Sequence, residues 1–122
     1  MARILLIEDQ TDVLESVAAL LRTGGHSVET ASSGEAALRL FESTRPELVI
    51  TDILMPDMDG LELIHRLRDL DANVKVIAVS GAMVPQYLRT AKLLGAVRVL
   101  SKPFTRATLL FAVDTALAPS DG

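Results

Sequence analysis

Glu47-Leu48-Val49-Ile50-Thr51-Asp52-Ile53-Leu54-Met55-Pro56-Asp57-Met58-Asp59-Gly60 sets the organisation of the whole chain. Its start, Glu47 to Asp52, reads as a strand whose centre, Leu48-Val49-Ile50, is apolar throughout, as in a strand covered on both faces. The strand ends in an acid, Asp52. A loop with Pro56 and Gly60 follows, and then a helix to about Leu70 with Leu63, Ile64 and Leu67 at helical spacing. Strand, loop and helix make half of a βαβ unit, and the same alternation recurs on both sides.

Upstream, Arg3 to Glu8 reads as a strand with Ile4-Leu5-Leu6-Ile7 at its centre. A helix is predicted over Thr11 to Thr23, with Val13, Val17, Leu20 and Leu21 as its core face. Gly24-Gly25 stops it, because glycine tolerates the left-handed turn at a helix end. A second strand spans about His26 to Ala31. Ser32 and Glu35 have capping-box spacing and open a helix carrying Ala36, Ala37, Leu40 and Phe41; Pro46 ends the connection. Downstream, Val74 to Ser80 reads as a strand, and Pro85 suits the first turn of a helix ending at Gly95. Val97 to Ser101 is the last strand. Thr105 is an N-cap candidate for a final helix that uses Leu109, Leu110, Val113 and Leu117.

The chain therefore reads as α/β, with a strand–helix pair repeated five times over residues 1–118 and a loose C-terminal tail at 119–122. Right-handed crossovers make an open, doubly wound parallel sheet. Two arrangements fit: a five-stranded flavodoxin-like sheet, or half of a Rossmann fold.

Composition narrows the function. The 122 residues suit one domain, and 49% hydrophobic residues supply a core that must be aliphatic, since aromatics are only 3%. The formal net charge is −4 and no Lys/Arg stripe is present, which argues against direct nucleic-acid binding. The absence of cysteine removes disulfides, thiol catalysis and Cys-based zinc sites. The apolar run Ile4–Ile7 is too short for a signal-peptide core or a membrane span, so a cytoplasmic protein is expected.

Ligands in open α/β sheets bind outside the carboxyl ends of the strands. Those ends carry Glu8-Asp9, Asp52, Ser80-Gly81 and Lys102-Pro103; only the second strand ends blandly, in Ala31-Ser32. If the first and third strands are neighbours, three carboxylates converge and repel one another. A divalent cation removes that penalty, and oxygen ligands suit Mg²⁺. Lys102 adds a compact cation and Ser80 a hydroxyl donor. Together they can bind the oxygens of a transferring phosphoryl group, with Asp52 as the nucleophile. An acid at a strand end is ordinarily just solvated; here several strand ends carry mutually useful groups.

At these residues the sequence resembles the CheY-like receiver domain of two-component response regulators, from Arg3 to about Leu117. The motifs are Ile7-Glu8-Asp9, Thr51-Asp52-Ile53-Leu54-Met55-Pro56-Asp57-Met58-Asp59-Gly60, Val79-Ser80-Gly81-Ala82 and Ser101-Lys102-Pro103-Phe104. The resemblance implies a (βα)5 doubly wound flavodoxin-like three-layer sandwich, its parallel five-stranded sheet in the order 2-1-3-4-5. It implies that Asp52 accepts a phosphoryl group from a phosphohistidine on a sensor histidine kinase or histidine phosphotransfer protein. Mg²⁺ would sit on Asp9, Asp52 and the backbone carbonyl of Leu54, with Glu8 acting mainly through water. Ser80 and Lys102 would contact the phosphoryl group, and the Lys102-Pro103 bond would be cis. Phosphorylation would shift the surface of the fourth helix, fifth strand and fifth helix toward an output partner, or toward a homodimer. The family usually places an aromatic on the fifth strand as a rotamer switch; here that position is Val99. Tyr87, on the fourth helix, is a weak substitute. Leu54 and Ala82 offer no polar group to guide attacking water, so slow self-dephosphorylation is expected.

His26 and His65 lie on different elements and form no ligand pair. Met55 is expected to pack locally, and Asp57 and Asp59 to cap the third helix. No P-loop or dinucleotide fingerprint is present. Two rivals remain. An aspartyl-phosphate phosphatase needs a second acid two residues after the nucleophile, where Leu54 stands. A phosphorylation-independent module of the same fold would ordinarily lack the acids or the lysine.

Overall fold

The structure, a computed structural model, describes residues 2–55, 58–81 and 85–118, without the side chains of residues 85, 87 and 88. The elements are β1 (Arg3–Ile7), α1 (Thr11–Thr23), β2 (Ser27–Ala31), α2 (Gly34–Thr44), β3 (Leu48–Asp52), α3 (Gly60–Leu70), β4 (Lys75–Ser80), α4 (Pro85–Leu93), β5 (Arg98–Ser101) and α5 (Arg106–Leu117). All strand pairs are parallel and the sheet order is β2-β1-β3-β4-β5. This is the flavodoxin-like order, and the half-Rossmann alternative falls away. The tail at 119–122, Ala82, Asp57 and the side chain of Tyr87 lie outside the described residues.

Strand alternation divides the core. Ile4 and Leu6, Leu48 and Ile50, and Ile77 and Val79 pack with residues of α1 and α5. Leu5 and Ile7, Val49, and Val76 and Ala78 pack with residues of α2, α3 and α4. Three layers result, since a strand sends successive side chains to opposite faces. β3 is buried along its whole length, so Asp52 is carried at the end of the most enclosed strand.

Several boundaries and faces differ from the expectations of the sequence. The first strand stops at Ile7, and the other four begin one residue later than predicted. In α1 the fully buried positions are Leu14, Ala18 and Leu21; Val17 and Leu20 pack at the margin, and Val13 is half-buried. In α5 Ala112 and Ala116 join Leu109 and Val113 against the sheet, while Leu110 and Leu117 flank them. Small alanines let a helix approach the sheet closely, and a reading led by bulky side chains passes over them. The N-cap of α2 is Ser33, not Ser32: the Ser33 hydroxyl accepts the Ala36 N–H at 3.2 Å. Thr105 caps α5 by accepting the Thr108 N–H, and Asp59 caps α3 by accepting the Leu61 N–H at 2.8 Å.

The turns after α1 and α4 use Gly25 (φ 89°) and Gly95 (φ 112°), where a side chain would be strained. Among the described residues no helix is long and apolar enough to cross a membrane.

Candidate functional site

β1 and β3 are neighbours, with Ile7 opposite Thr51, so Glu8-Asp9 and Asp52 leave the sheet side by side. The Glu8 N–H donates to the Ala31 carbonyl at 3.1 Å, which ties the acid pair to the end of β2. Ligand oxygens from Glu8, Asp9 and Asp52 all lie within 4.8 Å of one another, and no other such group of three occurs among the described residues.

Lys102 reaches this cluster from beyond β5, two strands away from β3. Its Nζ donates to Asp52 Oδ2 at 2.9 Å and also to Glu8 Oε1. The Lys102 backbone N–H donates to the Ser80 carbonyl at 2.9 Å, so the end of β4 anchors the lysine. The Lys102-Pro103 bond is cis. The other carboxylate oxygens are occupied as well: Glu8 Oε2 accepts the Gln10 N–H at 3.2 Å, and Asp52 Oδ1 accepts the Leu54 N–H at 3.3 Å.

Burial separates the roles. Glu8, Asp52 and Ser80 are buried, whereas Asp9 is half-exposed at the rim. Burial works to raise the Glu8 carboxyl, but the Lys102 ammonium and the Gln10 N–H win and hold it below the ordinary value. Asp9 moves up, chiefly through its hydrogen bond with Glu8 and then through burial. Asp52 also moves up, because burial outweighs the Lys102 ammonium. For Lys102 burial acts downward, yet its bonds to Glu8 and Asp52 keep its pKa above the ordinary value. Three carboxyls thus face one ammonium, and the balance of charge is negative. An all-oxygen donor set with a charge deficit fits a hard divalent cation and no softer metal.

The structure brings Glu8, Asp9, Asp52 and Lys102 together. Ser80 is buried at the end of β4, whose neighbour Val79 pairs with Asp52. Leu54, two residues after Asp52, has an exposed apolar side chain. Val99 is half-buried and packs on the side of α2, α3 and α4, as does Met55. His26 Nδ1 accepts the Ala2 N–H, and exposed His65 lies 3.7 Å from Asp69, so neither reaches the site. Sequence reasoning missed the groups beneath the lysine: Val17 and Phe104 line a narrow apolar cleft with Leu6, Ile50 and Val79, against which the Lys102 stem lies. The Phe after Lys102-Pro103 was the available signal for that cleft. It missed the Gln10 N–H too, a backbone group that leaves no trace in residue type.

Three carboxylates and a lysine thus meet at the carboxyl edge of a doubly wound parallel sheet. The sequence pattern of the response regulator receiver domain matches residues 4–114, and the chain belongs to that family, found in two-component systems. A response regulator receiver protein of Anaeromyxobacter sp. is 37% identical over 103 residues, 84% of this chain and 43% of that protein. Sporulation initiation phosphotransferase F of Bacillus subtilis is 30% identical over 102 residues, 84% of this chain and 82% of that protein. The solved structure of a response regulator receiver domain protein from Clostridium thermocellum aligns with a TM-score of 0.92 at 31% identity, covering 96% of this chain and 94% of that one. The chain spans about half the length of the curated relatives it matches first, at 43%, 49% and 54%.

Proposed function

We propose that Asp52 is a phosphoacceptor. One Asp52 carboxylate oxygen attacks the phosphorus of a phosphohistidine on a partner kinase or phosphotransfer protein. The P–N bond breaks, the imidazole leaves with its electron pair, and an acyl phosphate remains on Asp52. Asp9, Asp52 and the carbonyl of Leu54 would hold Mg²⁺, with Glu8 acting mainly through water. When bound, Mg²⁺ supplies charge compensation for the carboxylates and the incoming phosphoryl oxygens.

The rest falls to the chain's own side chains. Lys102 stays protonated and turns from Asp52 to a phosphoryl oxygen as negative charge arrives there. Glu8 retains its hold on the ammonium during that change, so the lysine is tethered and not sought anew. Ser80 donates its hydroxyl to a second phosphoryl oxygen. The surface formed by α4, β5 and α5 then shifts its population toward the form an output partner or a second copy binds. Val99 cannot act as an aromatic rotamer switch, so the shift travels through other packing. The domain works in the cytoplasm as a signalling unit, as residues 1–118 of the chain.

The observation that carries this reading is the Lys102 Nζ at 2.9 Å from Asp52 Oδ2, inside a cluster of three carboxylates. The phosphatase alternative has no comparable support, because Leu54 supplies no acid. The test is incubation with a small acyl phosphate and Mg²⁺, followed by intact mass. A gain of one phosphate that disappears in Asp52→Asn is expected. No gain, or a gain that survives Asp52→Asn, would overturn the assignment and favour a module that acts without phosphorylation.

A further inference from the structure

Beyond Asp52, Ile53 and Met58 each meet a glycine in a contact that the proposed chemistry does not use. The first closes the loop on itself. A Cβ on Gly60 would lie 2.3 Å from the Asp52 carbonyl oxygen and 2.6 Å from Ile53 Cα, so only a bare backbone fits there. The Gly60 N–H donates to the Ile53 carbonyl at 2.7 Å, and the Ile53 N–H donates to the Val79 carbonyl at 2.9 Å.

The second contact ties the loop to a different part of the molecule. Met58 is buried, and Gly34 is the buried first residue of α2. A Cβ on Gly34 would lie 2.7 Å from Met58 Sδ, 2.8 Å from its Cβ and 3.1 Å from its Cγ. The methionine therefore lies along a stretch of backbone that any other residue at position 34 would fill. An unbranched, polarisable side chain is suited to so irregular a gap. α2 follows β2, and the last carbonyl of β2, on Ala31, holds the N–H of Glu8. The Gly34–Met58 contact thus connects the half of the site that carries the acid pair to the half that carries Asp52 and Leu54.

Resting on the phosphoacceptor reading, we infer that Met58, seated on Gly34, is a positioning residue. It is not among the residues that line the cleft shared by Glu8, Asp52 and Lys102. It sets the height of the loop, and with it the Leu54 carbonyl, relative to Asp9 and Asp52. A methionine that merely fills the core would support stability and leave the site's affinity alone.

The test measures Mg²⁺ binding by calorimetry on the full chain, well below the unfolding midpoint of every variant. The set is wild type, Gly34→Ala, Met58→Ala and Met58→Leu. Gly34→Ala and Met58→Ala are expected to raise the Mg²⁺ Kd about tenfold, the lower end of what losing a supporting residue does to a metal site. Met58→Leu, close in volume, is expected to stay within about twofold of wild type. Should Gly34→Ala fail to fold, Met58→Ala adds no bulk and carries the comparison. Variants that lose thermal stability but keep the wild-type Kd overturn the positioning role while Asp52 remains the phosphoacceptor. A wild type that binds no Mg²⁺ and gains no phosphate overturns both.

Discussion

Asp52 carries its charge at a cost. Burial, and then the repulsion of Glu8, lift its carboxyl above the ordinary Asp value of 3.8, and the Lys102 ammonium offsets only part of this. The native state consequently holds the Asp52 proton more tightly than the unfolded chain does. The associated stability is complete below the ordinary Asp range and is lost as pH rises through the raised value. Near neutrality the ionised carboxyl works against the fold, so Asp52→Asn should melt higher than wild type at pH 7. Each kcal/mol recovered is worth about 3–6 °C in a domain of this size. The difference should shrink as pH falls below the ordinary Asp range; thermal scans from pH 3 to 7 check it, and a lower midpoint for Asp52→Asn at pH 7 would refute it. Glu8 runs the opposite way: its lowered carboxyl stabilises the fold at neutral pH and ceases to do so under acid.

The elements themselves were legible in the sequence, since ten runs of apolar residues with the right periods gave ten elements in the right order. Positions decided by geometry without a strong residue preference were less legible. Ser32 and Ser33 are chemically identical candidates for the cap of α2, and Glu35 three residues after Ser32 favours the wrong one. Only the extended backbone of Ser33, φ −150° and ψ 160°, directs its hydroxyl at the Ala36 N–H. Ser33→Ala should therefore cost about 1 kcal/mol of unfolding free energy. Ser32→Ala, at an exposed position without that bond, should stay within about 0.5 kcal/mol of wild type. Urea titration of both variants decides between the caps, and equal losses would count against Ser33. The inner faces of α1 and α5 were blurred for a related reason: alanine carries little hydrophobic signal yet occupies the closest approaches, as at Ala18, Ala112 and Ala116.

Across the whole molecule, the site was readable because parallel topology delivers strand ends to one edge, so the acids and the lysine could be located before their distances were known. What could not be read were contacts between segments with no motif in common, such as Met58 on Gly34, and the division of labour in which Glu8 grips the lysine while Asp9 faces solvent. Because the carboxyl cluster joins β1 to β3 and Lys102 joins both to β5, a cation bound there should stabilise the entire sheet. Mg²⁺ at one hundred times its Kd should add about 2.7 kcal/mol to global unfolding. The rise in midpoint should be largely absent in Asp52→Asn; a rise of equal size in that variant would mean the ion binds elsewhere.

Lys102 and Glu8 stand 94 residues apart in the chain. While a ribosome is still making this domain, Asp52 emerges long before the ammonium that will partner it. Until β5 has been synthesised and added at the sheet edge, the nascent chain holds the acids without their counter-charge. The ion pairs that close the cluster therefore form only when nearly the whole domain has been made.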